Sequence, residues 1–351
     1  MLQILVNSPN LSEEIYFTAL LFPMFTGRFR RVFSTLALSI TTLFISLLLF
    51  QESRQLSEQE QQQLLEGKKI WVWESPYGPL ATHYEEMGQG DRHLFLIHGF
   101  RANTFTWRHV IQPLADAGYH VWAVDLIGYG LSAKPSHVPY GIDFFTEHMH
   151  AFMTDHQIHT CCLMGNSMGG GLALNFACSH PDQSACLVLI NPLGYPIEIP
   201  FYIEVTKHWQ PIWIPFLVPS VIRLSLYQIV FDPRSVSEEQ VYAYSLPYRL
   251  HGGALATLLT LQNYSNERVL EISKKYPSIQ HPTLLIWGEN DQLLPLNHFE
   301  RFCRDLPKVE SFLIHSCGHI PHEEQPQTVL PSILSFLQTS FPTQQSLGET
   351  L

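Results

Sequence analysis

A serine stands between two glycines in Gly165-Asn166-Ser167-Met168-Gly169, directly after the apolar run Cys161–Met164 and at the start of a helical pattern. The chemistry such a motif can do is nucleophilic. A sharp strand-to-helix turn leaves no room for side chains at its flanking positions, so glycines are needed there. The turn lifts the serine hydroxyl clear of the sheet. The helix that starts at the same point directs the positive end of its dipole toward the reacting centre. An ordinary glycine-rich turn is the plain alternative, and the strand on one side with the helix on the other favours catalysis at Ser167.

A serine hydroxyl is a weak nucleophile until a base takes its proton. Where this turn serves catalysis, an acid and then a base follow it in the chain. The segment TLLIWGENDQLLP (283–295) supplies carboxylates at Glu289 and Asp291, and the WGxxD spacing selects Asp291. Asn191 ends an earlier apolar run, but an amide cannot stabilise an imidazolium as a carboxylate does. The base is expected at His319 in SFLIHSCGHIPHEEQP (311–326), accepting the Ser167 proton and delivering it to the leaving group. His315 and His322 flank it, and with no strong carboxylate or cysteine pattern nearby the run is not read as a metal site. No metal or organic cofactor is expected. The oxyanion that forms on the substrate needs backbone N–H donors, assigned to Met168, which follows the nucleophile, and to Phe100 in His98-Gly99-Phe100.

These residues need a scaffold that brings them to one place. IWVW (70–73) and the stretch Leu80 to Tyr84 read as an opening antiparallel pair. LFLI (94–97), HVWAV (120–124), CCLM (161–164), CLVLI (186–190), TLLIW (283–287) and SFLI (311–314) read as buried parallel strands. Helical patterns fall near 104–117, 143–157, 167–179, 296–305 and 325–339. The alternation predicts an α/β fold with a mostly parallel, doubly wound sheet, whose ligands lie outside the carboxyl ends of its strands. Residues 195–278 contain no strand pattern and are too many for a loop, so a helical cap is expected there. The core then comprises 68–194 and 279–340, with 341–351 as a carboxyl-terminal tail.

The chain of 351 residues is 46% hydrophobic and only 15% charged, which excludes a disordered polymer. Its net charge of −11 argues against a nucleic-acid partner. Six cysteines are too few for a disulfide-built scaffold, and core packing is their expected role. From Val32 to Gln51 no residue is charged, a length that suffices to span a bilayer. Arg28, Arg30 and Arg31 precede the run, so a signal anchor is expected at 32–51, with 1–31 in the cytoplasm and the remainder outside. Residues 52–67, rich in Gln and Glu, read as a polar helical linker.

The segments HGF (98–100), DLIGYGLSAKP (125–135), GNSMGG (165–170), WGENDQLLP (287–295) and CGHIPHEE (317–324) together resemble the α/β-hydrolase superfamily. The likeness spans about residues 70 to 340. It implies the hydrolase fold and the triad Ser167, Asp291 and His319, and is less specific about substrate. Epoxide hydrolases and haloalkane dehalogenases of that superfamily use an aspartate where Ser167 stands. Carbon–carbon hydrolases of the meta-cleavage type are similar around GNSMGGGLALNFA, but usually carry a longer glycine-rich oxyanion loop, and a Trp where this chain has Ile320. Membrane-anchored monoacylglycerol lipases and esterases share the layout of anchor, triad and apolar cap.

The expected cap is rich in Trp209, Trp213 and Phe216, followed by Leu224, Tyr227 and Phe231. Such aromatics either line a binding groove or form the cap's own small core. Together these features predict a membrane-tethered serine hydrolase of lipid-like or small apolar carboxylic esters. A carbon–carbon hydrolase and a catalytically silent binding protein are the alternatives.

Overall fold

The computed structural model describes residues 55–198 and 219–341. Among these residues no helix is long and apolar enough to cross a membrane. The anchor expected at 32–51 lies outside them, as do residues 1–31, 342–351, Trp209, Trp213 and Phe216.

The polar stretch before the core forms α1 (Glu58–Leu65), closed by a capping box in which Ser57 and Glu60 satisfy each other's backbone N–H groups, and none of its residues is buried. Eight strands follow: β1 (Lys69–Ser75), β2 (Gly78–Met87), β3 (Arg92–Ile97), β4 (Tyr119–Val124), β5 (Cys161–Asn166), β6 (Ser184–Ile190), β7 (Thr283–Gly288) and β8 (Val309–Ile314). They make one sheet in the order β1-β2-β4-β3-β5-β6-β7-β8. β2 is antiparallel to both β1 and β4, and the pairs from β4 onward are parallel.

Alternation along the strands explains the layers. Phe95, Ile97, Leu163 and Leu187 pack on one face with α3 (Ile142–Asp155), α4 (Met168–Ser179) and α9 (Asn297–Asp305), through Phe152, Phe176 and Phe302. Leu94, Leu96, Met164 and Val188 point the other way, against α2 (Ile111–Asp116) and α11 (Pro326–Ser340), through Leu114 and Ile333. Both faces being covered, the strands read as continuous apolar runs. Cys161, Cys162, Cys186 and Cys317 are buried free thiols within these two layers.

Between β6 and β7 the described residues form no strand: they form α5 (Pro219–Ile229), α6 (Glu238–Arg249), α7 (Gly253–Asn263) and α8 (Asn266–Ser273), with 3-10 turns at Pro233–Ser235 and Tyr276–Ser278. Ile222, Leu226, Val241, Tyr244 and Tyr248 build a third apolar cluster that also takes in Ala102 and Ile320 from the core.

Two helical expectations are corrected. The pattern at 104–117 splits into a 3-10 turn at Thr104–Trp107, capped by Asn103, and the separate α2. The turn breaks away because Thr106 and Trp107 are drawn into a buried contact with His322. The last helix is preceded by an extra turn, α10 (Pro321–Glu324), and each segment starts with a proline, which is favoured at a helix's first position. Phe341 is buried, so the packed core runs one residue into the expected tail.

Asp125, in the DLIGYG segment, is buried and accepts hydrogen bonds from His83 Nδ1 (2.7 Å), Thr104 N (2.7 Å) and Leu131 N (2.8 Å). It ties β2, the turn after β3 and its own loop together. Gly130 sits against it with φ +47°, and a Cβ there would lie 1.9 Å from Oδ2, so only glycine fits. Burial pushes the carboxyl up, but the His83 hydrogen bond and the neighbouring imidazoles outweigh it, leaving a value of about 2 against an ordinary 3.8. A depressed carboxyl stabilises the fold above its unfolded value and loses that contribution as pH falls through the folded one. The contribution, about 2 kcal/mol, is therefore present above pH ~4 and lost toward pH ~2. Urea unfolding across this window should show the loss in the wild type. Asp125→Asn, less stable at neutral pH, should lack that part of the slope, and parallel slopes would contradict the assignment.

Candidate active site

The strand order reverses at β3, which has β4 on one side and β5 on the other. The crevice at such a switch point is where doubly wound sheets bind ligands. Gly99 and Phe100 leave β3 there, and Ser167 leaves β5 beside them. A Cβ at Gly99 would stand 3.2 Å from the Ser167 Cβ.

Ser167 holds φ 54° and ψ −120°, a sparsely populated conformation that costs on the order of 1–3 kcal/mol. The surroundings over-determine it. Its N–H donates to Ile190 O at 3.0 Å, and its carbonyl accepts from Leu193 N at 2.8 Å and Gly171 N at 3.2 Å. The flanking glycines are needed for close approach: a Cβ at Gly165 would meet Gly169 O at 2.3 Å, and one at Gly169 would meet Ile97 O at 2.0 Å. The Ser167 side chain makes no capping bond to α4, so Oγ is left to the cavity that Ser167 lines.

His319 lies on the loop after β8, and its Nδ1 is 2.6 Å from Asp291 Oδ2 on the loop after β7. An ionised carboxylate only accepts, so Nδ1 carries the proton and Nε2 keeps the lone pair a general base requires. Asp291 is saturated. Oδ1 accepts from Leu293 N (2.8 Å) and Leu294 N (3.1 Å), and Oδ2 also accepts from Asn191 Nδ2 (2.7 Å). Burial alone would push its carboxyl up, yet the charge and hydrogen bond of His319, with the two backbone N–H groups, hold it below the ordinary carboxylate value. His319 lines the same cavity as Ser167, and Asn166, next to the nucleophile, donates Nδ2 to the His319 carbonyl at 3.1 Å.

The direction of the Phe100 N–H, one of the two expected oxyanion donors, follows from one peptide plane. His98 Nε2 accepts from Leu126 N (3.1 Å), so its Nδ1–H donates to Gly99 O (2.8 Å), which also accepts from Ala102 N (3.1 Å). In a trans peptide the N–H points opposite to the C=O. The Gly99 carbonyl is turned to His98, so the Phe100 N–H is turned away from it. Met168 opens α4, and the first N–H groups of a helix have no intrahelical partner. Both residues line the cavity, as oxyanion donors must.

The competing candidates go elsewhere. Glu289 pairs with His315 Nδ1 at 2.8 Å on the surface. His322 is buried against Thr106 Oγ1 at 2.8 Å. The three histidines of the run therefore do not converge, and among the described residues no group of three or more His, Cys, Asp or Glu could hold a metal ion. Tyr227 lines the cavity and packs on the cap cluster, joining the two roles that the cap aromatics left open.

The cavity measures about 1650 Å³, above the roughly 300–1,000 Å³ usual for small-molecule sites. Phe145 and Leu172 line its core side, Leu226 and Leu261 its cap side, and Phe231 and Leu293 are apolar lining residues that are also exposed.

Sequence reasoning missed Asn166, Asn191 and Glu324. Asn166 ends β5 immediately before Ser167, so the motif itself held it. Asn191 follows β6, which lies between the strands that Ser167 and Asp291 follow, and sheet order was the signal for its contact with Asp291. Glu324 accepts N–H groups from Gly318 and Ile320, on either side of His319. Burial holds its carboxyl above the ordinary value although those N–H groups draw it down.

Residues 94–331 match the family described as the alpha/beta hydrolase family. A 2-hydroxy-6-oxononadienedioate/2-hydroxy-6-oxononatrienedioate hydrolase from Paraburkholderia phymatum is 28% identical over 270 residues, 74% of this chain and 91% of the relative. Lipase 3 from a Moraxella species is 28% identical over 236 residues, 66% of this chain and 72% of the relative. Among solved structures, a thermophilic esterase from Thermogutta terrifontis superposes with a TM-score of 0.66 at 22% identity, covering 78% of this chain and 98% of its own, a likeness of fold.

Proposed function

This chain belongs to the alpha/beta hydrolase family, and from that membership we propose that it is a serine ester hydrolase acting on lipid-like or small apolar carboxylic esters. One observation carries the reading: the Asp291-oriented His319 and the strained Ser167 open onto a single large cavity with mainly apolar walls. Ser167 Oγ attacks the ester carbonyl while His319 Nε2 takes its proton. The negative charge on the carbonyl oxygen is met by the Phe100 and Met168 N–H groups. The intermediate collapses, the alcohol leaves with the proton from His319, and water admitted to the same base hydrolyses the acyl-enzyme. The chemistry requires no metal or cofactor. The uncharged run 32–51 would tether the enzyme to a membrane, with the catalytic domain on the extracytoplasmic side, and would hold the active site near the bilayer surface, where amphipathic esters gather.

A cavity of this size and lining favours long acyl chains. With p-nitrophenyl esters of two to sixteen carbons, kcat/KM should rise at least about tenfold from acetate to the optimum, since each buried methylene contributes roughly 0.8 kcal/mol. A flat or falling profile would contradict the lipid-like assignment and leave small esters as the substrates.

The second reading, a carbon–carbon hydrolase, is favoured by the likeness to the 2-hydroxy-6-oxononadienedioate/2-hydroxy-6-oxononatrienedioate hydrolase. Comparing turnover of a dienol diketone with that of the preferred ester separates the two. A silent binding protein, the reading from another class, would hydrolyse neither.

A further inference from the structure

The loop that carries the catalytic base is held from two sides. Gly318 N donates to both carboxylate oxygens of Glu324 at 3.0 Å, and Ile320 N donates to Oε1 at 3.3 Å. The N–H of His319 itself donates to Ile229 O at 2.7 Å, and Ile229 is the last residue of the cap helix α5. Two residues further on, Phe231 N donates to Glu324 Oε2 at 2.7 Å. One carboxylate thus accepts from both the base loop and the cap, while the amide between its two loop contacts is bound to the cap directly.

The approach is close enough to demand glycine: a Cβ at Gly318 would lie 2.3 Å from Ile229 O and 2.9 Å from Glu324 Oε1. Ile320 buries its side chain in the cap cluster beside Ile222 and Leu226. Glu324 is not among the residues lining the large cavity; it lines a separate cavity of about 240 Å³ with Arg108 and Glu239. It therefore reaches the reaction only through what it holds.

We propose that Glu324 is a positioning residue for His319, coupling the docking of the cap segment Ile229–Phe231 to the placement of the base against Ser167. The inference rests on the serine-hydrolase reading. Both cap bonds come from one three-residue segment, so lifting the end of α5 releases the His319 N–H and the Phe231 N–H together. The backbone around His319 is then held from the core side only, by Glu324 through Gly318 and Ile320 and by Asn166 at the His319 carbonyl, while Asp291 keeps its hold on Nδ1. General-base catalysis is strong with the cap docked and weak with it displaced.

The test compares Glu324→Leu and Glu324→Gln in the full chain, in the native and His319→Ala backgrounds, on a p-nitrophenyl ester. The leucine variant should lower kcat about 10- to 100-fold with KM within about twofold. Glutamine keeps a carbonyl acceptor, so it should recover most of the loss and remain about threefold below the native kcat. In His319→Ala the leucine substitution should change the residual rate less than about twofold, because its effect passes through the missing base. Equal fractional losses in both backgrounds, a loss confined to KM, or native kcat in a folded leucine variant would overturn the proposal. Should the leucine variant not fold, glutamine decides: native kcat overturns, and the threefold loss supports. A native chain that labels with a fluorophosphonate at Ser167 but is indifferent to Glu324 sinks this inference alone. A native chain that neither labels nor hydrolyses esters sinks the serine reading with it.

Discussion

Ser167→Ala is expected to lower kcat for an ester by roughly 10⁴- to 10⁶-fold while the protein stays folded. In the proposed mechanism the substitution removes the atom that forms the acyl bond, and the hydroxyl makes no capping bond to α4. The backbone bonds that impose the turn, from Ser167 N to Ile190 O and from Leu193 N to Ser167 O, remain. Thermal unfolding should therefore move by no more than a few degrees. The residual rate reflects the oxyanion donors and the cavity alone. Adding His319→Ala to this variant should cost little more, because base and nucleophile act as a unit. A second full-sized loss would show that His319 serves some other step.

The second large effect is expected from Asp291→Asn, about 10⁴-fold in kcat, and the local geometry gives the reason. Oδ1 is fixed as an acceptor by the Leu293 and Leu294 N–H groups. An asparagine would keep its carbonyl oxygen there and turn its NH₂ to the Oδ2 position, which faces His319 Nδ1 and the NH₂ of Asn191. Donor would meet donor on both sides. The imidazole relieves the clash by moving its proton to Nε2, the nitrogen that must accept from Ser167. Single-turnover kinetics should show a slowed acylation step with unchanged substrate affinity. A loss that appears in KM instead would mean that Asp291 shapes the pocket and does not orient the base.

Much of this site is legible in the sequence, for identifiable reasons. Ser167, Asp291 and His319 each follow a strand whose apolar run is unmistakable, because both faces of the sheet are covered. The chemical roles of serine, carboxylate and imidazole leave little choice among residues so placed. What could not be read was lateral order. Nothing in the runs 186–190 and 283–288 states that β6 lies beside β7, and that adjacency brings Asn191 onto Asp291. The same holds for Glu324, whose partners include a cap amide 93 residues away. The split at 104–117 escaped because periodicity reports which residues are apolar. It does not report that Thr106 and Trp107 are recruited by a distant histidine. Glu289 was the weaker rival, since the WGxxD spacing favours Asp291, and its pairing with the exposed His315 separates the two.

The cap and the core share one seam at the catalytic loop. Arg101 Nε meets Tyr248 OH at 3.0 Å, Asn103 Nδ2 meets Ala243 O at 2.9 Å, and Tyr244 OH and Arg108 converge on the buried Glu323. Removing one member of such a buried network leaves polar groups without partners, which is more costly than never having built it. The seam thus holds the roof of the cavity to the loop on which the base stands.

The most direct trial of the central claim is covalent. The full chain, solubilised in detergent, is treated with a fluorophosphonate and digested, and the modified residue is located by mass spectrometry. One adduct per chain is expected, on the peptide containing Ser167, forming at least about a hundredfold more slowly when His319 is alanine. An adduct on a different residue, or none from protein that hydrolyses esters, would contradict the central claim.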